Sequence, residues 1–420
     1  MFKYGDVSES WGRYPQARHA REVPLAWRAG LALPATRPLL AYGQGRSYGD
    51  SCLNDGGTLL RTSGLDRLIS FDPESGALRC ESGVTLGEIL RLMVPRGFFL
   101  PVVPGTKHVS VGGAIANDIH GKNHHRAGSF GAHVRRLEVL RSDGQRLEVA
   151  PGDPLFEATV GGLGLTGLIT WAEIALRRIP IAAVRMEAIP FSGLDEFHAL
   201  SEESDAQCEY TVAWVDVLSR SRRGIFFRGD HADGSPPAPR AKGAVPLDVP
   251  LVNAATVRVF NSAYRAAQKL SGRTRLQHWD HFFFPLDAIG RWNRLYGRRG
   301  FLQFQCVVPT PEALQELLRE PLASPLTVLK RFGSARSPGM LSFPRPGLTL
   351  ALDLPNRGEQ TLARLARLEK IAMEAGGALY PAKDACMSKE TFERSYPRLS
   401  EFTRHLDPAF SSSFWRRVTR

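Results

Sequence analysis

From residue 38 onward, apolar and polar positions alternate in short runs separated by turn residues, which predicts strands over Pro38–Tyr42, Thr58–Thr62, Leu68–Phe71 and Ala77–Cys80. The segment Thr85–Met93 then switches to helical period, with Thr85 as N-cap and Glu88 at capping-box spacing. A second unit follows. Val134–Leu140 and Arg146–Val149 read as a hairpin across Ser-Asp-Gly, and a glycine-rich turn over 161–167 leads into a strand over Ile169–Leu176. Beyond about Ile179 glycine thins out. Strands are predicted over Tyr210–Asp216, Phe301–Val308 and Leu348–Asp353, with helices from Pro311 and from about Glu359 to Ala375, the last closed by Gly376 and Gly377. Residues 218–250 break the pattern. They carry Arg220, Arg222, Arg223, Arg228, a Gly-Asp-His-Ala-Asp-Gly turn and Pro236-Pro-Ala-Pro, and are expected to form a partly mobile loop.

Three glycine-rich segments stand out against these elements: Tyr42-Gly-Gln-Gly-Arg-Ser-Tyr-Gly-Asp50, Pro104-Gly-Thr106, and Val111-Gly-Gly-Ala-Ile-Ala-Asn-Asp-Ile-His-Gly-Lys-Asn-His-His125. Glycine lets backbone N–H groups approach a ligand, and successive N–H groups in turns make a concave anion site. Three such segments within ninety residues, the last running into a His/Lys/Asn cluster, point to a pyrophosphate-bearing cofactor of flavin type with its reactive end at that cluster. A Rossmann fingerprint is rejected, because Gly43-x-Gly45-x-x-x-Gly49 misses its spacing and a turn follows where a helix is required. His120, His124 and His125 lack the glutamate of a metalloprotease helix, so a polar lining beside a cofactor is preferred to a metal site.

Composition narrows the class further. At 420 residues the chain has room for two or three domains, and 43% hydrophobic with 23% charged residues is ordinary for a globular protein. No apolar run approaches the ~20 residues that span a bilayer, and the first ten residues lack a signal-like apolar stretch. Five scattered cysteines indicate neither a zinc site nor a disulfide framework, so a cytoplasmic setting is expected. Lys plus Arg number 54 against 42 Asp plus Glu, a net charge of +12. With no nucleic-acid motif, this excess favours an anionic lipid or phosphorylated substrate; an arginine-rich composition on solvated faces is the plain alternative.

Taken together, these motifs and the terminal Ala382-Lys-Asp384 resemble the flavoprotein oxidases of the vanillyl-alcohol oxidase type, with their PCMH-type FAD-binding domain. Within these the chain is most similar to the decaprenylphosphoryl-ribose oxidase subgroup, to which the His120-Gly-Lys-Asn-His-His125 stretch is specific. The resemblance runs from about Trp11 to about Asp407. It implies an α+β fold: an FAD domain of two small α/β subdomains over 1–180, a substrate domain on an antiparallel sheet over 181–376, and a C-terminal segment, 377–420, completing the FAD site.

Residue by residue, the resemblance implies that Gly43, Gly45, Arg46, Ser47, Tyr48, Gly105, Thr106, Gly112, Gly113, Asn117 and Gly121 surround FAD. His120 and Lys122 fall near its ring and the substrate; Tyr48, Gln303, Gln305, Lys330 and Phe332 match substrate positions. Lys383 matches the essential active-site lysine, with Tyr380 and His120 beside it. Arg46 stands where many relatives carry a histidine bonded to the flavin, so the FAD is expected to be noncovalent. Ala351 stands where mycobacterial members carry a cysteine, a thiol that alcohol oxidation does not need.

The activity implied is oxidation of the 2′-hydroxyl of a polyprenyl-phosphoryl-β-D-ribose, leaving a short-chain dehydrogenase/reductase partner to complete an epimerisation to arabinose. Lys383 serves either as proton acceptor or as a cation holding oxygen or reduced flavin. A soluble sugar or aldonolactone oxidase and a non-catalytic flavin-bearing subunit are the alternatives. The arginines of 218–240 are expected to give peripheral membrane contact.

Overall fold

The computed structural model describes residues 8–180, 182–235, 243–320 and 323–420. Within these the chain has a mixed α+β architecture built on three main sheets. Near the N-terminus, Arg21–Pro24, Thr58–Arg61 and Leu39–Tyr42 form a small parallel sheet with Thr58–Arg61 in the centre. A five-stranded antiparallel sheet follows, in the order Leu68–Asp72, Ala77–Glu81, Leu168–Ala175, Val134–Leu140, Arg146–Val149. The helix Leu86–Met93 packs Leu86, Ile89, Leu90 and Met93 into that core, and its first turn carries the reciprocal capping box of Thr85 and Glu88.

While Gly243–Ala244 and Ile289–Gly290 pair separately in parallel, eight of the strands between Ala183 and Leu379 make one antiparallel sheet. Its neighbours Phe301–Val308 and Gly347–Pro355 pair over their length, placing Gln303 opposite Asp353 and Gln305 opposite Ala351. Alternation along Phe301–Val308 sends Leu302, Phe304, Cys306 and Val308 into a core with the helices Pro311–Arg319 and Glu359–Glu374, and sends Gln303 and Gln305 to the other face.

The segment expected as a loop over 218–250 is corrected. Gly224–Ala232 is a nine-residue strand in the interior of the large sheet. Arg228 there is held by Glu187 and Glu203, Arg223 faces Asp216, and Arg222 donates to the carbonyls of Val217, Ser219 and Leu318. Those three arginines stabilise the sheet and its turn, so they form no free basic loop. Pro236–Lys242 lies outside the described residues.

After the strand Ala378–Leu379, which closes the large sheet beside Phe301–Val308, the chain returns to the N-terminal region. Phe410 bridges Leu39, and the helix Ser413–Thr419 packs beside the turn Asp50–Cys52. There Arg417 binds Asp50 at 2.8 and 2.9 Å and Asp384 at 2.8 Å, joining the first glycine loop to the turn that carries Lys383.

Candidate active site

The first glycine loop and the Lys383 turn touch backbone to backbone. Tyr48 N–H donates to the Ala382 carbonyl at 2.8 Å, and a Cβ on Gly49 would lie 1.6 Å from the Asp384 carbonyl oxygen, so no larger residue fits. Lys383 therefore projects from Pro381–Lys383 with its ammonium 3.6 Å from the centroid of the Tyr48 ring. The third glycine segment forms a short helix, Val111–Ala116, where the sequence suggested only a close-approach loop. Ser110 caps it by accepting from Gly113 N–H, and Gly43 rests on the same hydroxyl, since a Cβ there would come within 2.3 Å of it.

Between these segments and the large sheet runs one cavity of about 310 Å³. The glycine segments contribute Gly43, Gly45, Arg46, Ser47, Tyr48, Gly105, Thr106, Gly112, Gly113 and Asn117 to its lining. His120, Gln303, Gln305, Lys330, Ala351, Tyr380 and Lys383 complete it, with Lys383 meeting Tyr48 and Tyr380 meeting Asn117 where the two sets join. Residues separated by more than 300 positions in the chain thus share one wall.

The polar network around His120 is tightly held. The Gln305 side-chain amide bonds His120 Nε2 at 2.9 Å and reaches the Thr349 hydroxyl at 3.3 Å. Burial, then the neighbouring Lys330, pushes the His120 pKa well below its ordinary value, so the ring is neutral. Tyr380 donates to the Asn117 carbonyl at 2.8 Å and stacks on Phe343. Burial lowers Lys383 to about 7 and Lys330 to about 8; among the described residues no carboxylate reaches Lys330 as an ion pair.

Sequence reasoning missed Asp353. It lies fully buried on the strand Gly347–Pro355, accepts from the Gln303 amide and from Tyr296 at 3.5 Å, and is pushed up by burial. Its negative charge raises Lys383 against the burial that lowers it, which makes Asp353 a positioning group for the lysine. A lone acid ending an apolar strand is its only sequence signal.

Three expected residues stand elsewhere. Lys122 donates to the carbonyls of Phe282 and Phe283 and is not among the residues lining the cavity; burial, then the neighbouring Lys330, lowers it to about 7. Phe332 lies behind the wall, its ring 4.9 Å from His120 and 4.4 Å from His124. Gly121 packs against the Val103 carbonyl and supports the turn without lining the cavity. Among the described residues no group of three His, Cys, Asp or Glu side chains is arranged to hold a metal ion.

The glycine-lined part of the cavity fits a dinucleotide. A Cβ on Gly105 would meet nothing within 4 Å, and the buried hydroxyls of Ser51 and Ser82 line the cavity with no hydrogen-bond partner among the described residues. A family model described as an FAD binding domain matches residues 16–150. The chain is 37% identical to decaprenylphosphoryl-beta-D-ribose oxidase of Mycolicibacterium smegmatis, over 91% of this chain and 89% of that protein. It belongs to that oxidase's family of PCMH-type FAD flavoproteins. An alditol oxidase of a Streptomyces species is 25% identical over 86% of this chain and 85% of its own length. An uncharacterised Streptomyces coelicolor protein is 34% identical over 80% of this chain and all of its own. As a member of this family the chain is an FAD-dependent oxidoreductase acting on CH–OH groups. Among the described residues no helix is long and apolar enough to cross a membrane.

Proposed function

We propose that this chain oxidises the 2′-hydroxyl of a polyprenyl-phosphoryl-β-D-ribose to the 2′-keto sugar, which a separate short-chain reductase then carries to the arabinose epimer. The observation that carries this reading is one cavity that joins a glycine cradle to Lys383, Lys330, Gln303 and Gln305. The similarity to the mycolicibacterial oxidase over most of both chains supports the substrate class. In this reading residues 1–180 and 377–420 hold FAD and residues 181–376 shape the sugar site.

FAD, when bound, supplies the acceptor for the hydride that leaves the carbinol carbon. Lys383 Nζ accepts the hydroxyl proton, for which a lysine near neutrality is suited. Gln303 and Gln305, fixed by Asp353 and by His120 with Thr349, orient the sugar hydroxyls. Lys330, without a carboxylate partner among the described residues, meets the phosphate. Anaerobic titration of the holoenzyme tests the reading. Short-chain polyprenyl-phosphoryl ribose should bleach the flavin at low concentration, while free alditols and aldonolactones should not; the reverse order assigns the chain to soluble polyols.

Two expectations follow from the site. With Arg46 at the position of the covalent-link histidine, its Nε directed at the His108 carbonyl at 3.3 Å, acid precipitation should release all FAD to the supernatant. Flavin retained on the peptide contradicts this.

The second concerns pH. A base whose pKa is lowered to about 7 is unprotonated above that value, so flavin reduction should quicken as pH rises through about 7 and then level. Asp353→Asn removes the charge that raises Lys383, so the midpoint should move to lower pH. Stopped-flow profiles of both proteins decide it; a midpoint unmoved or moved upward rules out this role for Asp353.

A further inference from the structure

The helix Ala254–Leu270 faces solvent with the wrong chemistry for a solvated helix. Its inner side is fixed: Val257 is buried, Asn261 donates to Asp216 at 2.7 Å, and Tyr264 packs on Trp214. Its outer side carries Val259 at 71% exposure and Leu270 at 88%, with Ala255, Ala263 and Ala266 at the same helical period, while Phe260, 50% exposed, lies on the flank and stacks on Tyr264. Beside it Leu247 is 69% and Leu251 50% exposed. Single exposed apolar residues are ordinary, but a stripe at helical period is not.

This surface is continuous with the cavity mouth. Val249 and Leu251 bond through their backbone to Arg294 and Leu295, and Gly243–Ala244 pairs with Ile289–Gly290. Ile289 is both 44% exposed and part of the cavity wall. On the other flank, Trp214 pairs with Val328, another lining residue.

Charge selects the occupant. The helix carries Arg258, Arg265 and Lys269 and no acidic residue in seventeen positions. A second copy docked face to face would oppose these cations to themselves. An anionic bilayer would accept the apolar stripe among its acyl chains and the cations at its phosphates. We propose that this face docks the enzyme on an anionic lipid membrane and presents the cavity mouth to it. The proposal rests on the lipid-linked substrate reading for its purpose, while its test needs no substrate.

Flotation of the holoenzyme with vesicles tests it. The unmodified protein should float with mixed phosphatidylglycerol and phosphatidylcholine vesicles, and poorly with phosphatidylcholine alone or at high salt. A combined Val259→Glu, Ala263→Glu, Leu270→Glu variant should retain FAD and its melting temperature but lose about tenfold in the floated fraction. Replacing Arg258 and Lys269 by Gln should reduce flotation several-fold on anionic vesicles only. Absence of flotation by the unmodified protein, equal flotation of the variants, or a loss of dimer mass in the glutamate variant without loss of flotation overturns the proposal. Flotation without oxidation of lipid-linked ribose leaves the surface standing and removes the substrate reading.

Discussion

Lys383→Met should slow anaerobic flavin reduction by substrate ~10²-fold or more while leaving FAD bound. Methionine keeps the length and apolar stem of lysine but neither accepts a proton nor carries charge. The lysine lies at the junction of the first glycine loop and the substrate wall, its ammonium against the Tyr48 ring and in the cavity lining. The glycine segments, Ser51 and Ser82 are untouched by the change, so flavin content should survive it. Stopped-flow reduction against flavin absorbance per protein separates the two effects. Reduction near the unmodified rate removes Lys383 from proton transfer, and loss of flavin makes it a cofactor-holding residue instead. Lys383→Arg adds a discriminating arm: it restores charge without a base near neutrality, so recovery by arginine favours the cation role over the proton acceptor.

Much of this site was legible because its parts are local and chemically unusual. Glycine at Gly43, Gly45 and Gly49 marks close approach in any context, and the Val134–Leu140 hairpin follows from alternation and its turn. What stayed hidden depends on partners far along the chain. Gly224–Ala232 reads as a loop because Arg228 looks solvated, yet Glu187 and Glu203 neutralise it across the sheet. The helix Ala254–Leu270 went unassigned although its residues are amphipathic at helical period and Asn253 caps its first turn. Val111–Ala116 looks like a flexible run, but Ser110 caps it and Ser82 packs at Gly112, where a Cβ would lie 3.0 Å from the serine Cβ. Lys122 is matched to a substrate cation by motif alone; only folding shows it donating to two backbone carbonyls with Lys330 nearby. Asp353 gains meaning only when pairing with the neighbouring strand sets Gln303 opposite it.

Arg417→Met should destabilise the protein by about 3 kcal/mol and weaken FAD retention together. Its guanidinium joins Asp50, 3% exposed, to Asp384, 7% exposed, and also donates to the Met387 carbonyl. Removing it leaves two carboxylates close together, nearly buried and without their cation, which costs more than the lost attraction alone. Burial already raises Asp50 above its ordinary carboxyl value, and Arg417 is what opposes that rise. Asp50 follows the first glycine loop and Asp384 follows Lys383, so loosening the clamp loosens the cradle and the catalytic turn at once. The measurement is a melting curve with and without added FAD. The variant should melt several degrees lower, and excess FAD should recover part of the loss by binding the folded state. Adding Asp50→Asn and Asp384→Asn should restore more stability than it removes, because the unpaired charges go with the clamp. A single variant that melts with the unmodified protein, or a triple variant less stable than the single one, contradicts the assignment of Arg417 as the charge-neutralising link between the C-terminal helix and the flavin site.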